Sequence, residues 1–177
     1  MNEAMDDRME QHFGEAGIDT AGRECNCLLL TLNEERLLVP RNLVAEVLPH
    51  SFLNLAQDPE TGVELFDWRG RRVPLLPAAV LGEKQEAEDT DETRVAVFHG
   101  LRNREELPYY GLTISCSPRL MRLYEQDIEE VTDATLHPTE LMRVMIDEGA
   151  AGIPDVDHLE DALIAMLNPT ADGNSQP

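Results

Sequence analysis

The groups that could bind metal or move protons are three cysteines, five histidines and a large excess of carboxylates in a 177-residue chain. Cys25 and Cys27 are the closest pair of soft ligands. Two positions apart, they share one face if the segment is a strand. With a histidine they could form a soft metal site. The spacing is Cys-x-Cys rather than the Cys-x₂-Cys common in structural zinc sites, and no second pair accompanies it. An odd cysteine count argues against a disulfide framework, so buried free thiols are the plainer reading. Ser115-Cys116-Ser117 could hold a nucleophile, but no Gly-x-Ser-x-Gly elbow surrounds it and it reads as a strand end. His12, His50, His99, His137 and His158 show no metal-ligand spacing. Asp147-Glu148 and Asp155/Asp157 lie in a turn and at a helix start, where carboxylates more often cap than catalyse. The glycines never form a phosphate loop. These residues support a binding module and give no positive sign of an enzyme, so no metal or cofactor is expected. A small metal-binding or enzymatic protein using Cys25, Cys27 and a histidine is the alternative.

Charge narrows the partners. The formal net charge is −21, with Lys84 the single lysine. Such a balance argues against binding nucleic acid or anionic membrane surfaces. It reads as a solvated acidic surface. Hydrophobic residues make up 42% of the chain, enough for a core. No run approaches the ~18–20 apolar residues of a membrane span. The N-terminal MNEAMDDRMEQ lacks the basic and apolar regions of a signal peptide, so a cytoplasmic protein is expected. Residues 1–24 read as a mostly disordered acidic arm, and 169–177 as a tail.

The positioning elements centre on Val63–Gly82, VELFDWRGRRVPLLPAAVLG. Val63–Trp68 reads as a strand, Arg69-Gly70-Arg71 as a tight turn and Arg72–Leu76 as the returning strand. Pro77 and Gly82 then bracket a helical turn. Before this unit, Cys27–Leu32, Arg36–Val39 and Ala45–Leu48 read as strands, and Ser51–Thr61 as a loop. After it, Glu83–Glu92 is the densest charge run, read as a solvated linker at the boundary of two halves. Arg94–His99, Pro108–Cys116, Leu120–Tyr124 and Leu141–Ile146 follow as strands, with a turn at Asp147-Glu148-Gly149. Asp155–Leu167 reads as a helix whose apolar stripe is Leu159, Leu163 and Leu167, started by Asp157 and Glu160. Val73-Pro74 and Ile153-Pro154 each precede a helix and follow a glycine-bearing hairpin, so the second half repeats the plan of the first. Short strands with tight turns point to small barrels.

WRGRRVPLLPAAVLG resembles the LRG-x-VVPVxDL-xx-LLG signature of the CheW-like domain. LLLTLNEERLLVPRNLVAEVL, from Leu28 to Leu48, is similar to the opening strands of that family. YGLTISCSPRLMRLYEQDIEEV, from Tyr110 to Val131, is similar to its GLLVDEV-x-EV segment. The matches span most of Cys27–Leu167, and their order and spacing carry the resemblance. It implies an all-β fold of two small five-stranded SH3-like barrels, intermixed or side by side, with short helices and a C-terminal helix. The expected domain is 25–168, with its internal boundary near 83–92. The implied function is a non-catalytic adaptor coupling methyl-accepting chemoreceptors to a histidine kinase, for flagella or for pilus-driven twitching.

The resemblance also implies site residues. The family's turn arginine and V-x-EV glutamate correspond to Arg69 and Glu46. A Glu46–Arg69 pair is expected to shape a groove that, with Val44, receives the helical tip of a receptor. Leu65, Phe66, Trp68 and Val73 are expected to meet the kinase's own CheW-like domain. Departures exist: Asp67-Trp68 replaces Asn-Leu, Pro77 replaces a helix-opening aspartate, and IDEGAAG stands where an LDGR-like turn is usual. The first barrel is the better match.

Overall fold

The computed structural model describes residues 22–102 and 105–169. The expected N-terminal arm and C-terminal tail therefore lie outside the described residues, apart from 22–24 and 169.

Twelve strands and one α-helix are present among the described residues. In chain order they are β1 Glu24–Thr31, β2 Arg36–Pro40, β3 Val44–Pro49, β4 Leu55–Gln57, β5 Glu64–Trp68 and β6 Arg71–Leu76. Then come β7 Arg94–His99, β8 Tyr109–Ile114, β9 Arg119–Tyr124, β10 Glu129–Glu130, β11 Glu140–Ile146, β12 Gly149–Pro154 and α1 Val156–Leu167. One sheet runs β10-β11-β12-β2-β1-β9 and the other β3-β7-β8-β6-β5-β4. The fold is two SH3-like β-barrels with one C-terminal helix, each sheet carrying six strands where five were expected.

The first hairpin, β1–β2, belongs to the barrel completed by the C-terminal strands. Its links there are the antiparallel β1–β9 pair and the parallel β12–β2 contact at Gly152↔Leu37. The acidic loop 83–92 is therefore not a boundary between halves. It connects β6 to β7 inside one sheet. Nor is it simply solvated. Glu83 is 5% exposed and its carboxylate accepts the backbone N–H groups of Glu34 and Glu35, clamping the β1–β2 turn of the other barrel. Glu86 accepts from the Ala78 N–H, and Thr93 is buried against the Glu88 carbonyl.

The strand pattern explains the continuous apolar runs. On β1, Cys27 and Leu29 face the interior of their own barrel with Leu38, Met121, Leu123 and Val144. The alternate residues Leu28 and Leu30 face the space between barrels with Val44, Phe98, Tyr110 and Leu112. On β7, Val95 and Val97 enter the other barrel's interior, while Ala96 and Phe98 face the shared core. Both faces of each strand are covered, so period-2 alternation of polarity is lost. Helix α1 closes the shared core with Leu159 and Leu163. Burying each such side chain contributes roughly 1.5–3 kcal/mol. The surface ion pairs contribute roughly 0–1 kcal/mol each, so packing of the three cores holds the fold.

The β5–β6 turn is a two-residue hairpin with Arg69 at φ 50° and Gly70 at φ 74°. Two left-handed residues in succession match the twist of the flanking strands. Gly82, at φ 81°, ends the 3₁₀ turn Ala78–Leu81. The helix start differs from expectation. Asp155 caps α1 by accepting the His158 N–H, whereas Glu160 is wholly buried and accepts the N–H groups of Leu101 and Arg102 at 2.7 and 2.9 Å. The loop Ser51–Thr61 contains β4, paired to β5.

Candidate functional site

Glu46 lies on β3, just past a register shift in the β3–β7 pairing between Val44 and Glu46. Such an irregularity re-aims the side chain that follows. The Glu46 carboxylate oxygen Oε2 accepts a hydrogen bond from Trp68 Nε1 at 2.8 Å and forms an ion pair with Arg69 Nη2 at 3.0 Å. The Arg69 guanidinium also lies over the Trp68 ring, 4.8 Å from its centroid. The three side chains thus close on one another: carboxylate on guanidinium, carboxylate on indole edge, guanidinium on indole face. The expected Glu46–Arg69 pair is present, with Trp68 as a third member.

Trp68 extends the arrangement inward. Its ring meets Tyr109 edge-on at 4.8 Å, and Tyr109 lies 5.4 Å from the His99 ring. Beyond Tyr109 opens a groove of about 580 Å³, lined by Asn42, Leu43, Arg71, His99 and Leu101. Arg69, Arg71 and Arg72 are exposed on one hairpin, with Glu46 beside Arg69 and Asp67 near Arg72, so this rim is a surface of mixed charge. Arg72 reaches Asp67 only at 3.8 Å. Glu160 fixes the far wall, because its carboxylate holds the Leu101 and Arg102 backbone against α1.

Several expected contacts take other positions. Val44 is 3% exposed and packs in the core between the barrels, so it cannot present a surface to a receptor. Phe66, Trp68 and Val73 are 1%, 6% and 1% exposed and fill the interior of one barrel; Leu65 is half-buried. The physical reason is strand alternation: Phe66 and Trp68 point inward together, while Leu65 and Asp67 take the other face and Glu64 is exposed at the strand's start. The outer face of the β5–β6 hairpin is therefore polar, and an apolar kinase contact made of these side chains is not available.

The cysteine pair is partly assembled. Cys25 is exposed, Cys27 is buried, and their Sγ atoms are 3.4 Å apart. Burial, reinforced by the hydrogen bond and charge of Cys25, pushes the Cys27 thiol up to about 12. Among the described residues, no group of three or more histidine, cysteine or acidic side chains is placed to hold a metal ion, so no histidine joins the pair. Among the described residues, too, no helix is long and apolar enough to cross a membrane.

Sequence reasoning missed Glu83 and Glu160 as buried structural carboxylates. The signal for Glu160 was its place within the Leu159–Leu163 stripe, where a charge has no solvent. Tyr110, stacked on Phe98 at 5.3 Å, was likewise read only as part of a strand. Burial and then the Glu160 charge push its phenol well above the usual range.

The family model of the CheW-like domain matches residues 26–163, a span that takes in both barrels and most of α1. No curated protein sequence matches the chain. In fold the chain is similar to the scaffolding protein TtCheW from Thermoanaerobacter tengcongensis, with a TM-score of 0.61 and 17% identity over 75% of this chain and 89% of that one. The intermixed barrels, the hairpin arginine held by a β3 glutamate and the match along 26–163 lead to one conclusion: the chain belongs to the CheW-like domain family.

Proposed function

We infer that the protein is a non-catalytic adaptor that couples methyl-accepting chemoreceptors to a histidine kinase in a chemotaxis-type pathway. The single observation that carries this is the family match across both barrels, 26–163. Proteins of this family are scaffolds, not enzymes. A cytoplasmic location follows from the same reading, since receptor tips and kinase both lie there.

The Glu46–Trp68–Arg69 constellation and the adjoining groove support a finer reading, in which a helical receptor tip lies against this face. Leu43 and Leu101 offer apolar contact within the groove, and Arg71 offers charge at its rim. That division matches helix-in-groove recognition, in which an apolar stripe is buried and rim charges fix register. The receptor biases the kinase through contacts that differ between its two signalling states. The test is affinity capture from the native cell extract with the chain as bait. Recovery of a chemoreceptor and a histidine kinase is the expected result. Recovery of neither would overturn the adaptor reading.

A further inference from the structure

The Cys25–Cys27 pair is unused by any adaptor surface, and its geometry is unusual. Both thiols project from one face of β1 with sulfurs 3.4 Å apart. One sulfur is open to solvent and the other closed off, at 5% exposure. Directly across the β1–β9 pair, the residue in register with Cys27 is Met121, and both belong to the same buried cluster. Opposed residues in such a pair have Cβ atoms only ~4.5–5.5 Å apart. Two thiols and a thioether-bearing residue are therefore neighbours across the β1–β9 pair. We propose that Cys25 and Cys27, with the Met121 thioether beside them, form a binding site for a soft, thiophilic metal ion of the monovalent-copper class.

The alternatives fail on geometry. A direct disulfide needs Cα atoms usually within ~4.4–6.8 Å and Cβ atoms within ~3.5–4.5 Å. Residues two apart on a strand rise ~6.6 Å, at the long end of the Cα range, but their nearly parallel Cβ vectors leave the Cβ atoms about as far apart, well beyond ~4.5 Å, so the bond would have to bend β1. Bending is resisted by a register running unbroken from Glu24↔Tyr124 to Leu29↔Arg119. A bridging ion removes the conflict. With metal–sulfur bonds of ~2.3 Å, two thiolates in line sit ~4.6 Å apart, reached from 3.4 Å by small side-chain rotations. Zinc does not fit, because it requires four ligands and no further histidine, cysteine or carboxylate group completes the set among the described residues. Monovalent copper is satisfied by two thiolates, and thioether sulfur is among the ligands that select it. One exposed sulfur gives an entry point; one buried sulfur, in an apolar cluster, excludes water from the bound ion.

The test uses the full-length chain, reduced and anaerobic, titrated with Cu(I) against the chromogenic chelator bicinchoninate. The expected result is one Cu(I) per chain, with a sulfur-only first shell by X-ray absorption. Cys25→Ser, at an exposed position that leaves the fold intact, should weaken binding at least ~100-fold. Cys116→Ser should leave it unchanged, and Zn(II) should not be retained after desalting. Equal affinity in Cys25→Ser, no binding in competition with the chelator, or nitrogen or oxygen ligands in the shell would each overturn the proposal.

Discussion

Glu46 carries both an ion pair and a hydrogen bond on one oxygen, so its removal should do more than break a surface ion pair. In Glu46→Ala the Trp68 N–H, on a ring only 6% exposed, loses its acceptor. An orphaned buried donor costs roughly 1–3 kcal/mol. The ion pair adds less, because the Glu46 and Arg69 side chains are 35% and 68% exposed and solvent screens them. The Trp68–Glu46 bond is only part-buried, so the low end of that range applies and a total of about 1–2 kcal/mol is expected for Glu46→Ala. Glu46→Gln keeps an acceptor oxygen for the indole and loses only charge, so it should cost less than about 1 kcal/mol. Trp68 is the sole tryptophan, so urea unfolding followed by its fluorescence reads the site directly. With a slope near ~2 kcal/mol/M, Glu46→Ala should lower the midpoint by ~0.5–1 M. The charge swap Glu46→Arg with Arg69→Glu separates the ion pair from the indole hydrogen bond. Arginine has no acceptor, so the swap can restore the ion pair but not the indole bond. The swapped protein should recover part of the receptor-tip binding lost in either single variant and remain less stable than wild type. Equal costs for Glu46→Ala and Glu46→Gln, or full recovery in the swap, would refute the three-way arrangement.

Three further outcomes follow from the cores and the buried carboxylates. Glu160→Gln removes one of two acceptor oxygens and adds a buried amide, so it should destabilise by about 2–4 kcal/mol and weaken receptor-tip binding through the loosened Leu101–Arg102 wall, as read by urea unfolding and titration calorimetry. Gly111→Ala would put a methyl 2.6–2.9 Å from Phe66, Leu75 and Val95, overpacking the barrel by roughly 1–3 kcal/mol, visible as a lower thermal midpoint. Cys27 keeps its proton in the fold up to about 12, whereas an unfolded thiol loses it near ~8.5. Its folded value is raised, so the stabilisation is complete below the unfolded value and is lost as pH rises from ~8.5 towards 12. Cys27→Ala should flatten that alkaline decline, and in the native protein a thiol reagent at pH 8 should label Cys25 well before Cys27.

Much of the local structure was legible in the chain. β7 stands where RVAVFH placed it, and the turn at Gly70 and the stop at Gly82 follow from glycines, which tolerate left-handed backbone, whereas the left-handed Arg69 had no local signal. The Glu46–Arg69 pair was legible only through the family motif. What stayed hidden was non-local. β4 has three residues and exists because β5 pairs with it, so the loop reading of Ser51–Thr61 had no local signal against it. The exchange of the β1–β2 hairpin into the other barrel depends on pairings with β9 and β12, far along the chain, and the acidic loop therefore looked like a boundary. The inward turn of Trp68 had a visible signal in Asp67, whose charge between two aromatics marks the outer face.

Co-sedimentation measures the coupling of kinase to receptors by this protein. Membranes carrying the source cell's chemoreceptors should be mixed with its histidine kinase, with and without this protein. Kinase should sediment with the receptor membranes only when the protein is present, and Arg69→Glu should lower the sedimented fraction. Equal kinase in the pellet without the protein would contradict that coupling.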